Sequence, residues 1–177
     1  MRPVTAEIVI RLAEPADLAA LGRLGAELVR AHHRFDARRF IAPTGDIEAG
    51  YARFLGDQLD QAGSVIYVAA RGDAVLGYVY AGLEPASWKE LRDPAGFIHD
   101  LLVEPPARGQ GVAKRLLAAA AAWLEQRGAP RLVLWTAHHN DAARRLFAGL
   151  GFRPTMVEMT REVDDERGAP QLTGSST

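Results

Sequence analysis

The stretch from Gly96 to Leu117 constrains the fold more than any other, because it dictates three consecutive local structures. Phe97 to Val103 is a short apolar run of strand type with His99 and Asp100 set into it. Pro105 and Pro106 end that strand, since neither can donate to a ladder. Arg108-Gly109-Gln110-Gly111 is a turn rich in backbone N–H groups. From Val112, apolar residues recur at Leu116, Ala120, Trp123 and Leu124, the spacing of a helix. A strand, a glycine turn and a helix N-terminus together make an anion site, because the first N–H groups of a helix lack internal partners and carry partial positive charge. Gly109 and Gly111 permit φ > 0 and let a ligand approach the chain closely. Arg108 and Lys114 add mobile positive charge at the rim. A tight strand-to-helix turn with a basic edge is the competing description. The Walker pattern is absent, and a dinucleotide fingerprint counted from Gly109 meets Lys114 where a third small residue is required.

The rest of the chain supplies a frame for that loop. Its 177 residues fit one domain, expected over 7–163, with 164–177 as a disordered tail and Met1 to Ala6 as a loose terminus. A formal net charge of −1 gives no electrostatic case for nucleic acid. The absence of cysteine excludes a disulfide framework, a thiol nucleophile and a thiolate metal site. With no apolar run near about 18 residues and no charged-then-apolar leader, no membrane association is expected and a cytoplasmic protein is the default.

In chain order, Glu7 to Ala13 alternates as a first strand, and Pro15-Ala16-Asp17 opens a helix carrying Leu18, Leu21, Leu24, Leu28 and Val29. The helix ends among His32, His33, Phe35, Asp36 and Phe40. Adjacent histidines do not share a helix face, so no metal is expected there. Asp46 is a candidate N-cap for a second helix with Ile47, Tyr51, Phe54, Leu55 and Leu59 facing inward. Ser64 to Ala70 and Ala74 to Leu83 form a hairpin about Arg71-Gly72-Asp73, with Tyr78 and Tyr80 on one face. Trp88 and Lys89 sit in a flap. Arg131 to Ala137 is a buried strand, Asn140 opens another helix, and Thr155 to Val163 is a last strand.

The pattern Arg108-x-x-Gly111-x-Ala113, directly after Leu101-Leu102-Val103, resembles the acetyl-CoA pyrophosphate loop of the GNAT N-acetyltransferase superfamily. A second match lies in Asn140 followed by Leu150-Gly151-Phe152, at a fitting separation. Together they extend the resemblance over about Glu7 to Val163. The resemblance implies an α/β (α+β) GNAT acyl-CoA N-acyltransferase fold, with a mixed, mostly antiparallel sheet of about six strands flanked by helices. Relatives often follow the Gly-Phe pair with two strands. Room here for only one leaves an edge open, and a homodimer would cover it.

It also implies a chemistry. The cofactor's pantetheine arm would bond the backbone of Leu101, Leu102 and Val103 like an added strand. Its pyrophosphate would rest on N–H groups of Gly109, Gln110, Gly111, Val112, Ala113 and Lys114, with Arg108 at the rim. Asn140 and Phe147 complete the cofactor-binding set, and no metal is implied. The acceptor, a small primary amine or a lysine side chain, attacks the acetyl-CoA thioester directly. An ammonium of pKa about 10.4 must first lose a proton. His99 stands where arylalkylamine transferases carry a histidine and is the candidate base. A hydrogen-bonded core histidine is the structural alternative. Strand alternation places His99, Leu101 and Val103 on one face and Asp100 on the other. The usual acid is missing, since Phe147 replaces a tyrosine, leaving Tyr78, Tyr80, His138 or water. A non-catalytic acyl-CoA-binding protein is the alternative function.

Overall fold

The computed structural model describes residues 7–163; the expected loose terminus and the expected tail lie outside the described residues. The described chain divides after Asn140 into two compact units.

The first unit is a twisted sheet with helices on both faces. β1 (Val9–Leu12), β2 (Ser64–Arg71), β3 (Ala74–Glu84) and β4 (Ala95–Val103) are antiparallel neighbours in chain order. β5 (Leu132–Leu134) joins β4 in parallel, after a crossover through α3 (Val112–Gln126), as a parallel pair requires. β2 and β3 close on an Arg71–Ala74 pair, so Gly72-Asp73 is a two-residue loop, with Gly72 at φ 57°. That hairpin accounts for Arg71-Gly72-Asp73 completely.

One face of the sheet is covered by α1 (Leu18–Phe35) and α2 (Ile47–Leu59). Leu21, Leu24 and Leu55 are wholly buried there against Ile66, Val68, Val75 and Tyr78. Each contributes about 1.5–3 kcal/mol of burial, enough to dock an amphipathic helix that would not persist alone. The two helices approach closely at Gly22 and Gly25: a Cβ on Gly22 would meet the Glu48 carbonyl at 2.4 Å, and one on Gly25 would sit 1.9 Å from the Tyr51 ring. Asp46 does cap α2, its Oδ1 accepting from the Ala49 N–H at 3.0 Å. Phe54, expected inside, is 44% exposed and lies edge-on to Tyr51 and Tyr80. At the start of α1, Arg11 reaches Asp17 with both guanidinium nitrogens (2.7 and 2.9 Å), and Asp17 also accepts from the Glu14 N–H. The other face of the sheet lies under α3, whose Val112, Leu116, Leu117, Ala120 and Leu124 are buried.

Two strands depart from expectation. Arg131 to Ala137 was expected as a buried strand, yet only Leu132–Leu134 pairs. It is half-buried, and Trp135 is 70% exposed. Among the described residues β5 has a ladder partner on one side only, and that ladder stops opposite Ile98, where β4 changes register. The second departure lies in the other unit.

That unit begins with α4 (Asp141–Ala148). Its end is a glycine stop: Gly151 has φ 88°, its N–H bonds the Ala148 carbonyl and the Phe152 N–H bonds the Phe147 carbonyl, while the two phenyl rings meet at 6.0 Å. The Leu150-Gly151-Phe152 motif is thus a helix terminator that seats Phe152 on Phe147. Thr155 to Val163 is not a strand. It forms no ladder, and Met156, Val157, Met159 and Val163 are exposed, so the described sheet has five strands rather than about six. A strand needs a hydrogen-bonded neighbour, and none lies beside this segment among the described residues of its unit.

Candidate functional site

The chemistry-bearing residues of the first unit gather where β4 leaves β5. Pairing between them covers Gly96–Leu132, Phe97–Val133 and Ile98–Leu134 and then ceases. Beyond Ile98, β4 has no ladder partner on that side among the described residues, while Asp100 to Val103 stay paired to β3 on the other. Leu101 and Leu102 are half-buried and Val103 buried along this free edge.

The turn after β4 gathers backbone N–H groups at the start of α3. Pro105–Ala107 makes one 3-10 turn, Gly109 and Gly111 both sit at φ 75°, and α3 starts at Val112. Only glycine adopts that φ without strain, which explains both glycines. The first bond into the helix is from the Arg115 N–H to the Gly111 carbonyl. That leaves the N–H groups of Gly111, Val112, Ala113 and Lys114 without an acceptor in the helix. A Cβ added at Gly109 or Gly111 would touch nothing within 4 Å, so the chain is open on the Cβ side of both glycines.

The side chains differ from the expected mobile rim. Arg108 turns back, its Nε donating to the Val103 carbonyl at 2.8 Å, and so braces the loop. Gln110 donates to the Pro106 carbonyl at 2.9 Å and accepts from Arg71 Nη2 at 3.3 Å. Arg71 therefore brings a second guanidinium to the loop from the β2–β3 turn. No sequence spacing links positions 71 and 110; only the sheet does.

The strand itself carries a correction. Tyr80 pairs with Asp100 and Ala81 with Ile98, so His99 is an extra residue in a β-bulge. The expected alternation is broken there. His99 and Asp100 both fall on the face of Tyr80, the α1–α2 side, and Leu101 and Val103 turn to the other face.

His99 lies between two rings, stacked on Tyr80 (4.7 Å, 24°) and on Phe97 (4.9 Å, 18°), and its side chain is 27% exposed. Its Nε2 is 3.2 Å from Glu84 Oε1. Burial lowers its pKa below the ordinary imidazole value, against the opposing pull of Glu84 and Asp100, so the ring favours its neutral form. Asp100 Oδ2 accepts from both the Tyr51 hydroxyl (2.6 Å) and the Tyr78 hydroxyl (3.0 Å). Burial raises the Asp100 carboxyl above the usual range, partly offset by those two bonds and by His99 and His32. Burial, reinforced by Asp100, pushes both the Tyr51 and Tyr78 phenols upward. Tyr78 is fully buried and already donating, which removes it from the candidate acids. Tyr80 is also raised, chiefly by burial, and donates to Gln58 at 3.0 Å.

Around this cluster, His32 Nδ1 lies 2.9 Å from the Leu28 carbonyl and His33 Nδ1 3.4 Å from the Phe40 carbonyl. The expected flap is a four-residue tip closed by paired Ser87 and Arg92. Trp88 is 93% exposed, Leu91 has φ 51°, and the Arg92 guanidinium lies over Phe97 at 5.7 Å. A hollow that Gln58 shares with Leu59, Ser64, Ile66, Trp123 and Arg127 is lined by no carboxylate and no imidazole. The Asn140 N–H bonds the Ala137 carbonyl at 3.0 Å, and Phe147 lies in the second unit.

Comparison with known proteins gives a consistent picture. The model of the Acetyltransferase (GNAT) family matches residues 28–152. The chain is 32% identical over 145 residues to the uncharacterized N-acetyltransferase YhfO of Bacillus subtilis, spanning 81% of this chain and 88% of that protein. It is 24% identical to the D-amino-acid N-acetyltransferase HPA3 of Saccharomyces cerevisiae, over 87% of this chain and 90% of that one. Among solved structures it is similar in fold to the aminoglycoside N-acetyltransferase AAC(6')-Iy in complex with CoA, with a TM-score of 0.72 and 21% identity, covering 92% of this chain and 99% of that one.

Proposed function

The chain belongs to the GNAT family of acetyltransferases and is an N-acetyltransferase with acetyl-CoA as co-substrate; from that premise we propose that the cradle after β4 holds the cofactor and that His99 deprotonates the acceptor amine. The single observation that carries this reading is the juxtaposition, along β4 and the turn that follows it, of a strand edge without a ladder partner among the described residues, the first N–H groups of α3, and an imidazole whose pKa burial lowers.

The residues fit the cofactor. The first N–H groups of α3, from Gly111 to Lys114, with the Gly109-Gln110 turn before them, suit a diphosphate, and the β4 edge from Leu101 to Val103 suits an amide-bearing arm that pairs as a strand does. Arg108 acts by bracing the loop and Arg71 by adding charge beside it. Asn140 belongs to the same proposed set. When bound, acetyl-CoA supplies a thioester carbonyl open to attack by an amine.

His99 accepts the proton that an alkylammonium must lose. Burial disfavours its cation and holds its pKa below the ordinary imidazole value, against the opposing pull of Glu84 and Asp100. Backbone N–H groups along the free edge of β4 are placed to stabilise charge on an oxygen. No side-chain acid is required of this chain, since a thiol of ordinary pKa about 8.5 departs as thiolate near neutrality. The acceptor is a primary amine of a small molecule or a lysine side chain. A cytoplasmic setting, and a second copy covering the outer edge of β5, belong to the same reading. The second is supported by the lack of a strand beside that edge among the described residues.

The test is release of free thiol from acetyl-CoA across a panel of spermidine, tyramine, kanamycin and lysine amide. Turnover on a panel member, cut sharply by His99→Ala with the acetyl-CoA dissociation constant unchanged, is the expected result. Tight binding of acetyl-CoA with no turnover on any amine would instead favour a non-catalytic binding protein.

A further inference from the structure

Building on His99 as the proton acceptor, we propose that Glu84 is its positioning residue: it holds Nε2 in the protonated form, so that Nδ1 is the atom that takes the proton from the amine.

The geometry narrows the choices one at a time. Tyr80, Gly82 and Glu84 alternate along one face of β3, and the bulge lays the His99 ring across them. Gly82 provides the slot, since a Cβ there would already approach Nε2 to 3.6 Å. Tyr80 and Phe97, both nearly parallel to the imidazole, set its plane. Two flipped orientations of the ring remain, and Glu84 Oε1 at 3.2 Å from Nε2 selects between them. A carboxylate only accepts hydrogen bonds, so Nε2 must carry the hydrogen. Neutral imidazole has one N–H, which leaves the lone pair on Nδ1.

The proton step then balances. The Nδ1 lone pair takes one proton from the acceptor's ammonium, whose N–H electrons become the amine lone pair that attacks. The Nε2–H bond stays intact, and its contact with Glu84 strengthens as the ring becomes cationic, with no proton passing to the carboxylate. The groups facing the ring comprise Glu84 and the Tyr80 phenol from β3, Asp100 on β4 and, through Asp100, Tyr51 of α2, Tyr78 of β3 and His32 of α1. Arg92 faces it across Phe97. Of these, Glu84 alone contacts a ring nitrogen among the described residues.

The test has a spectroscopic arm and a kinetic arm. In the full chain labelled with ¹⁵N-histidine, the neutral His99 signal is expected to be the Nε2–H tautomer, and Glu84→Ala to lose that preference. With the panel amine that turns over fastest, Glu84→Ala is expected to lower kcat about ten- to a hundredfold, leaving KM for acetyl-CoA unchanged. Glu84→Gln is expected to move the acid limb of kcat/KM to lower pH, because no carboxylate then supports the imidazolium. Glu84→Asp is expected to restore part of the rate. An Nδ1–H tautomer in the wild type, or an unmoved kcat and acid limb in both Glu84→Ala and Glu84→Gln, would overturn the proposal. Full turnover by His99→Ala would overturn the base assignment itself, and the tautomer spectrum reads the Glu84 contact independently of that result.

Discussion

Replacing Gly25 by alanine should destabilise the protein although alanine is the better helix former. The reason lies across the α1–α2 contact. A methyl at position 25 would stand 1.9 Å from Tyr51 Cδ1 and 2.4 Å from Cε1 and Cγ, so the ring must move. Forcing a methyl into a packed contact costs about 1–3 kcal/mol. A displaced ring also withdraws its hydroxyl from Asp100, now 2.6 Å away, and a hydrogen bond to a charged group is worth about 1.5–3 kcal/mol. Helix propensity returns about 1 kcal/mol. The net loss is about 1.5–5 kcal/mol, a large share of an ordinary domain's stability. Gly50, also helical, has nothing within 4 Å of an added Cβ, and Gly50→Ala should gain about 0.5–1 kcal/mol. Urea titration of both variants reads the contrast as midpoints moving in opposite directions at constant slope. In a Tyr51→Ala background the clash is gone, so Gly25→Ala should turn neutral or favourable. If Gly25→Ala is as stable as the wild type, or costs the same with and without the ring, the account of this contact is wrong.

Three more outcomes follow from the same structure. Asp17→Asn removes the charge that Arg11 grips with two nitrogens and should cost about 1.5–3 kcal/mol at neutral pH by urea titration. The Asp17 carboxyl is held below its usual value, first by its Arg11 bond, so that contribution is present above the unfolded value of about 3.9 and fades as pH falls through the lowered one. Asp100 has the opposite sign. Its pKa is raised by burial, so the folded chain keeps that proton longer than the unfolded one, and the stability it lends is full below about pH 3.9 and lost as pH rises through the raised value. Wild-type stability minus that of Asp100→Asn should therefore decline as pH rises above about 3.9 and through the raised value, and a rise would contradict the sign. Gly111→Val places a β-branched residue at φ 75° and blocks open amides; calorimetry should show acetyl-CoA affinity falling at least about tenfold, and unchanged affinity would remove the cradle from the cofactor site.

Much of this architecture could be read from residue order because the signals are local. Periodic leucines gave α1, Asp46 marked the start of α2, two turn residues closed the β2–β3 hairpin, and a double proline followed by two glycines marked the loop before α3. What escaped depends on partners far away in the chain. Arg71 reaches Gln110 only because the sheet brings its turn to the loop, and Gly25 is required only because Tyr51 lies over it. Trp135 looked buried because it continues an apolar run, but an edge strand that loses its ladder has no reason to bury it. Thr155 to Val163 has the composition of a strand but forms no ladder among the described residues of its unit.

The bulge is the most instructive miss, because the sequence contains the tension that it resolves. In strict alternation, Asp100 would project between strand and α3, into a layer of Val112, Leu116, Ala120 and Leu124 that offers no donor. A carboxyl without a partner in such surroundings costs several kcal/mol at least. One extra residue in β4 turns the same carboxyl to the opposite face, where Tyr51 and Tyr78 both donate to it. A single polar residue inside an apolar strand therefore argues for a break in alternation, and the hydroxyls that receive it tell which way the strand turns.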